Sequence, residues 1–239
     1  DVLGSRGLGD VYKRQDKKFQ IGVIFMKYHK LVENAKKPNG FWGKMMIKAM
    51  NKGHSSLTSW GLEHMNIERT ATVLDIGCGG GKTVDRLCSI VANGKVYGID
   101  YSELSVKSSE KLNSKNILCN KAKILQASVS DMPFDDNTFD NITAVETYYF
   151  WPDKENDVKE VFRVLKQGGT VMLLFEMLRT DDDPFKWEKV ENMLNIKSVT
   201  PQEIRAVLES AGFENINTYT KEGTTWLCAT AQKPKDDEN

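Results

Sequence analysis

The stretch VLDIGCGGGKT, Val73 to Thr83, joins a short apolar run to a run of helical spacing across a cluster of glycines. Ala71–Gly77 reads as a buried strand, being apolar and ending in Gly. Lys82 to Val91 places apolar residues at Val84, Leu87, Cys88 and Val91, one face of a helix, and Asn93-Gly94 stops it. The alternation continues outward. Strands are predicted over Lys95–Asp100, Ala122–Ser128, Phe139–Thr147 and Thr170–Glu176. Helices are predicted from Ser102, as N-cap, to about Asn113, and from Asp153 to Lys166, the second closed by Gly168-Gly169. After the polar loop Asp181–Pro184 come one helix and then another, with Thr200 as N-cap, Pro201 in its first turn and Gly212 as its stop. Strands around Glu214–Thr220 and Thr224–Ala231 close the domain. Strands alternating with helices give a mostly parallel sheet covered on both faces. The last two strands lie too close for a helical crossover, so they pair antiparallel.

Glycines at a strand-to-helix turn let a ligand approach the backbone and leave N–H groups aimed at an anion. A phosphate-binding P-loop needs four residues between its first Gly and the Gly-Lys-Thr. Counting back from Gly81-Lys82-Thr83, that position is Ile76, so the loop is too short. A dinucleotide fingerprint starting at Gly77 puts its third glycine on Lys82, and fails as well. An acidic strand end, Asp75, followed by Gly77-Cys78-Gly79 instead resembles the first motif of class I S-adenosylmethionine-dependent methyltransferases. The bland alternative is a tight turn with no ligand.

Further motifs carry the same resemblance. YGID ends the second strand at Asp100, about twenty residues beyond Gly79, where an acidic side chain can take both ribose hydroxyls; the alternative is an Asp capping the next helix. QASVSDMPFDDNTFD, Gln126 to Asp140, is similar to the family's stretch after the third strand, but its acidic position falls on Ser128. Leu165-Lys166-Gln167-Gly168-Gly169 resembles the family's Leu-Lys-Pro-Gly-Gly. The resemblance covers residues 70–178 and implies a Rossmann-like seven-stranded sheet, order 3-2-1-4-5-7-6 with the last strand antiparallel, of the small-molecule type 11/25 kind. It implies S-adenosyl-L-methionine as cofactor, held by Asp75, Gly77, Cys78, Gly79, Asp100, Tyr101, Ser128, Val129 and Glu146. Tyr101 lies against the adenine or in a half-buried core; the adenine contact comes from Ser128, the Val129 backbone or Ser130.

AVETYYFWPD, Ala144 to Asp153, leaves the carboxyl end of the fourth strand, where open α/β sheets bind ligands. Glu146 and Tyr149 are the candidate catalytic residues. Glu146 acts as a base, orients the acceptor, or bonds the cofactor's methionine end; Tyr148, Tyr149 and Trp151 line an aromatic slot or pack the loop. His54 reaches the pocket, or it caps a helix or lies at the surface, the latter being the commoner roles of such a histidine. No Asn/Asp-Pro-Pro-Tyr follows the fourth strand and no Pro-Cys is present, which disfavours methylation of nucleic-acid bases. Two other readings stand beside this one: a cofactor-binding regulatory protein without turnover, and a nicotinamide-dependent dehydrogenase.

Composition agrees. Among 239 residues, 33 Lys+Arg balance 33 Asp+Glu, which argues against a protein that lives by gripping phosphates. Four cysteines in no metal-ligand spacing fit reduced thiols, a cytoplasmic setting and no bound metal. No apolar run is long enough for a transmembrane segment. Ser5–Gln15 back-translates in one frame to a sequencing-library adaptor, so residues 1–15 are expected to be foreign. Residues 16–70 read as a helical cap with helices over Phe19–Glu33, Phe41–Lys52 and Ser56–Met65, residues 71–233 as the methyltransferase-like domain, and 234–239 as a charged tail. Between Asp16 and His54 nine lysines face two acidic residues. The expected partner is a small-molecule methyl acceptor, not a nucleic acid.

Overall fold

The computed structural model describes residues 38–235; residues 1–15, the helix expected over Phe19–Glu33 and the end of the charged tail lie outside the described residues. Seven strands form one sheet: β1 (Thr72–Ile76), β2 (Lys95–Asp100), β3 (Ala122–Gln126), β4 (Phe139–Val145), β5 (Leu165–Phe175), β6 (Glu214–Thr220) and β7 (Leu227–Gln232). Their order is β3-β2-β1-β4-β5-β7-β6. The first five strands pair in parallel, and β7 runs antiparallel between β5 and β6. This is the order and orientation the sequence motifs imply.

The helices are α1 (Gly40–Gly53), α2 (Ser55–Leu62), α3 (Lys82–Ile90), α4 (Glu103–Leu112), α5 (Ser114–Leu118), α6 (Lys154–Val164), α7 (Glu188–Leu194) and α8 (Pro201–Ser210). Alternation along each strand sends successive side chains to opposite faces. Val73 and Val96 bury against Val84, Leu87 and Cys88 of α3 and Val106 of α4. Leu74, Ile76 and Ile142 bury on the other side with Val158 and Val161 of α6 and Ile204 and Leu208 of α8. The cap helix α2 joins the α3 side, where its Leu57 packs with Met172, Leu174 and Cys228. None of the helices among the described residues is long and apolar enough to cross a membrane.

Local signals place the helix starts. The Ser102 hydroxyl accepts from the Ser105 N–H at 3.4 Å, and Thr200 and Glu203 form a reciprocal capping box at α8. One boundary differs from expectation. Gly168-Gly169 does not close a helix; β5 already begins at Leu165. Leu165 is fully buried and pairs with Phe139, and the next partners, Asn141 and Thr170, leave the extra residues of the irregularity in β5, around the glycine pair. Tertiary pairing thus extends the strand through a glycine pair that locally reads as a helix stop. The short α5 has no apolar face to announce it, and its Leu118 is exposed.

Candidate active site

The site forms at the carboxyl ends of β1, β2, β4 and β5. After β1 the chain turns through Gly77 at φ +68° and Gly79 at φ +51°, and Gly81 caps α3. A Cβ on Gly77 would sit 2.2 Å from Thr147 Oγ1, so the loop and the exit of β4 touch here. A Cβ on Gly79 would meet nothing closer than the Gly77 carbonyl at 4.0 Å, so its outer side is open. Cys78 donates its N–H to Ile99 O at 2.9 Å, continuing the sheet into the loop, and its buried thiol, pushed up by burial, lies 3.8 Å from Ser109 Oγ.

Two acids flank this turn. Asp75 is buried and accepts from Thr143 Oγ1 at 2.7 Å; burial first, then nearby Asp100, raises its carboxyl to about 7 against the hydrogen bond. Asp100 accepts from the Gly79 N–H at 3.0 Å and the Ser102 N–H at 2.8 Å, so it locks the glycine loop to the start of α4. Burial raises its pKa, opposed by those two backbone donors. Each oxygen keeps a second lone pair for a further donor. The capping and ligand-holding readings of Asp100 are therefore compatible. Tyr101 beside it is partly exposed, and burial lifts its phenol to about 12.

At the exit of β4, Glu146 stands at φ +57°, a strained setting for a residue with a side chain. Its Oε1 accepts from the Glu176 N–H and, at 3.4 Å, from Tyr149 Oη. Burial, with the Glu176 charge adding and these hydrogen bonds opposing, raises its carboxyl to about 8. Tyr149 is buried and lies behind Glu146, where its Oη also accepts from the Met177 N–H at 3.0 Å.

The lining of the cleft brings together Asp75, Gly77, Cys78, Gly79, Asp100, Tyr101 and Glu146. Three expected residues stand outside that lining. Ser128 turns back in an isolated bridge to Asp131, its Oγ accepting from the Ser130 N–H, and this folds Val129 into the core. Tyr149 is held behind the wall as described. Tyr148 and Trp151 are likewise buried, with rings 5.2 Å apart, which corresponds to loop packing; of the aromatic residues in this loop, Phe150 is the one at the lining.

The cap supplies what the sequence reading underweighted. Pro38, Ile47, Asn51, His54 and Thr58 line the cleft from above the glycine loop. Asn51 Nδ2 lies 3.5 Å from Gly80 O, Ser102 Oγ donates to Pro38 O at 3.0 Å, and Arg86 of α3 donates to both Ser55 O and Ser55 Oγ at 3.0 Å. His54 and Glu176 face each other at 3.9 Å, and with Glu146 their polar atoms all lie within 4.8 Å. Burial lowers the His54 pKa, with Glu176 opposing. The signal for His54 was present only as a histidine at a helix junction; which face it took needed the fold.

The donor set suits a zwitterionic nucleoside. The open side of Gly79 and the α3 N-terminus at Lys82 and Thr83 suit a carboxylate, and the acids suit an ammonium and sugar hydroxyls. Lys82 pairs with Asp85 at 2.9 Å. The family model described as "Methyltransferase domain" matches residues 74–173. The uncharacterized methyltransferase YdaC of Bacillus subtilis is 27% identical, covering 76% of this chain and 93% of that protein. The ubiquinone/menaquinone biosynthesis C-methyltransferase UbiE of Cronobacter sakazakii is 31% identical, covering 66% and 72%. A crystal structure of a methyltransferase of unassigned function from Bacillus halodurans superimposes with a TM-score of 0.63 at 18% identity, covering 76% of this chain and 100% of that one. With its glycine loop, acid pair and strand order in place, this chain belongs to the class I S-adenosylmethionine-dependent methyltransferases.

Proposed function

We propose that this methyltransferase acts on a small-molecule acceptor held between the β4 exit and the cap. The observation that carries this is the cleft itself. Its lining joins Asp75, Gly77, Asp100 and Glu146 at the sheet edge to Ile47 and Asn51 of α1, His54 at the helix junction and Thr58 of α2, so the cap walls one side of a concave site with convergent polar groups. The relatives support the reading, since one is named for C-methylation in quinone biosynthesis.

Under this reading Gly77, Cys78 and Gly79 hold the cofactor's amino-acid end, Asp75 meets its ammonium and Asp100 and Tyr101 hold the nucleoside. When bound, S-adenosylmethionine supplies an electrophilic methyl group on a sulfonium. The protein's share is to fix the acceptor in line and to exclude water. Glu146, with its carboxyl near 8, is largely protonated at neutral pH and donates a hydrogen bond that orients the acceptor. Tyr149 is a positioning residue that keeps Glu146 turned toward the cleft.

The test is incubation with methyl-labelled cofactor and pooled metabolites, followed by mass spectrometry of labelled species. Label in a small organic product is expected; label only in added nucleic acid or protein would refute the proposal. Asp100→Ala is expected to weaken S-adenosylmethionine binding by about 1–3 kcal/mol, the usual cost of unpairing such hydrogen bonds, as read by calorimetry.

A further inference from the structure

The cap brings to the cleft a titratable group that the proposed roles leave unused. His54 joins α1 to α2, and its backbone is fixed on both sides. Its N–H donates to Met50 O at 3.0 Å, and its carbonyl accepts from both the N–H and the hydroxyl of Thr58 at 2.8 Å. The ring is thereby aimed at the carboxyl ends of β4 and β5. The groups that face it are Glu146 at the end of β4 and Glu176 at the end of β5. Of the two cations that line the cleft from α3, Arg86 is committed to Ser55 and Lys82 to Asp85.

We propose that His54 is the base of this enzyme, taking a proton from the acceptor inside the cleft and passing it to Glu176 and then to water. The acceptor class follows: it carries an ionisable O–H, N–H or acidic C–H that is lost during methylation. The inference rests on the small-molecule reading above.

The division of labour within the trio follows from burial. Glu176 is 47% exposed on its side chain and His54 25%, so the path from cleft to solvent runs through these two. Glu146 is deeper, bonded to the Glu176 N–H and Tyr149, and its raised carboxyl keeps its own proton at neutral pH. A lowered imidazole pKa keeps His54 neutral, the form that accepts. The reaction balances. The sulfur–methyl bond breaks with its electron pair staying on sulfur, and the acceptor atom forms the new bond to carbon. Its proton goes to the imidazole nitrogen, and the imidazolium releases it through Glu176 to water.

The experiment compares the wild type, His54→Gln, His54→Ala and Glu176→Gln in the labelled-metabolite assay between about pH 6 and 9, with cofactor affinity measured separately by calorimetry. Loss of a positioned base is expected to cut label transfer by about 10²–10⁴-fold in His54→Gln, with cofactor affinity unchanged. Added imidazole is expected to restore part of the transfer to His54→Ala, which a merely structural role would not allow. Glu176→Gln is expected to displace the pH profile of the wild type. A His54→Gln variant that labels as well as the wild type overturns the proposal, and so does activity abolished by a chelator and restored by a divalent cation, which would give the trio to a metal. A wild type that binds cofactor and labels nothing overturns the small-molecule reading itself, a result distinguishable from either.

Discussion

Gly77 and Gly79 are two residues apart in one turn, and a methyl group at each would do different damage. At Gly77 it meets Thr147 Oγ1 at 2.2 Å and sits at φ +68°, so both the clash and the backbone oppose it. Gly77→Ala is expected to destabilise the fold by about 2 kcal/mol or more, read as a lowered unfolding midpoint. At Gly79 there is room, and the left-handed backbone is the main cost, roughly 1–2 kcal/mol. Gly79→Ala is therefore expected to lose more in cofactor affinity than in stability, and calorimetry beside thermal unfolding separates the two. Asp75 makes a pH prediction. Its carboxyl rises from 3.8 to about 7 on folding, so between those values the folded chain holds a proton that the unfolded chain releases. That contribution favours the native state in acid and fades as pH rises through about 7. Glu146, near 8, acts in the same direction. The cofactor-free protein is thus expected to show a component of stability that falls from pH 5 to 8, smaller in Asp75→Asn. A slope unaltered by the substitution would contradict this.

Among the elements, the cap is the one whose role changes between sequence and structure. Its helices were legible from their apolar spacing, and α1 and α2 fall close to the expected Phe41–Lys52 and Ser56–Met65. Their docking was not, because it rests on contacts between residues far apart in the chain. Arg86 reaches from α3 to Ser55 with two hydrogen bonds, and Ser102 reaches to Pro38. Arg86→Ala removes a two-pronged, charge-assisted link across the cofactor cleft. Faster hydrogen exchange in residues 55–62, with the sheet unaffected, is the expected outcome. Equal protection in variant and wild type would show that Leu57 packing alone holds the helix. The exit of β4 shows the same division. AVETYYFWPD announced a site, yet the fold turned Tyr148, Tyr149 and Trp151 inward and left Glu146, Thr147 and Phe150 at the cleft.

On the scale of the whole molecule, Lys233 ties the end of the chain to the opposite layer. It is buried, and its Nζ donates to Asn137 Oδ1 and Phe162 O at 2.8 Å each, beneath the end of α6. Lys233→Ala leaves those acceptors without their donor and is expected to lower stability by about 1–3 kcal/mol while cofactor affinity stays unchanged. Lys233 stands where the domain gives way to the charged tail, and nothing local marks it as structural. The sequence by itself determined the strands, their alternation with helices and the chemistry of the loop after β1, because side-chain period and glycine spacing act over a few residues. It also marked Asp75 and Asp100, whose places at strand ends follow from where the strands stop. Only the tertiary structure decided that β5 runs through Gly168-Gly169, that Val129 packs into the core beside the Ser128–Asp131 bridge, and that His54 joins Glu146 and Glu176. Each of those depends on which distant surface a residue meets, and burial against a partner outweighs the local preference that the chain alone displays.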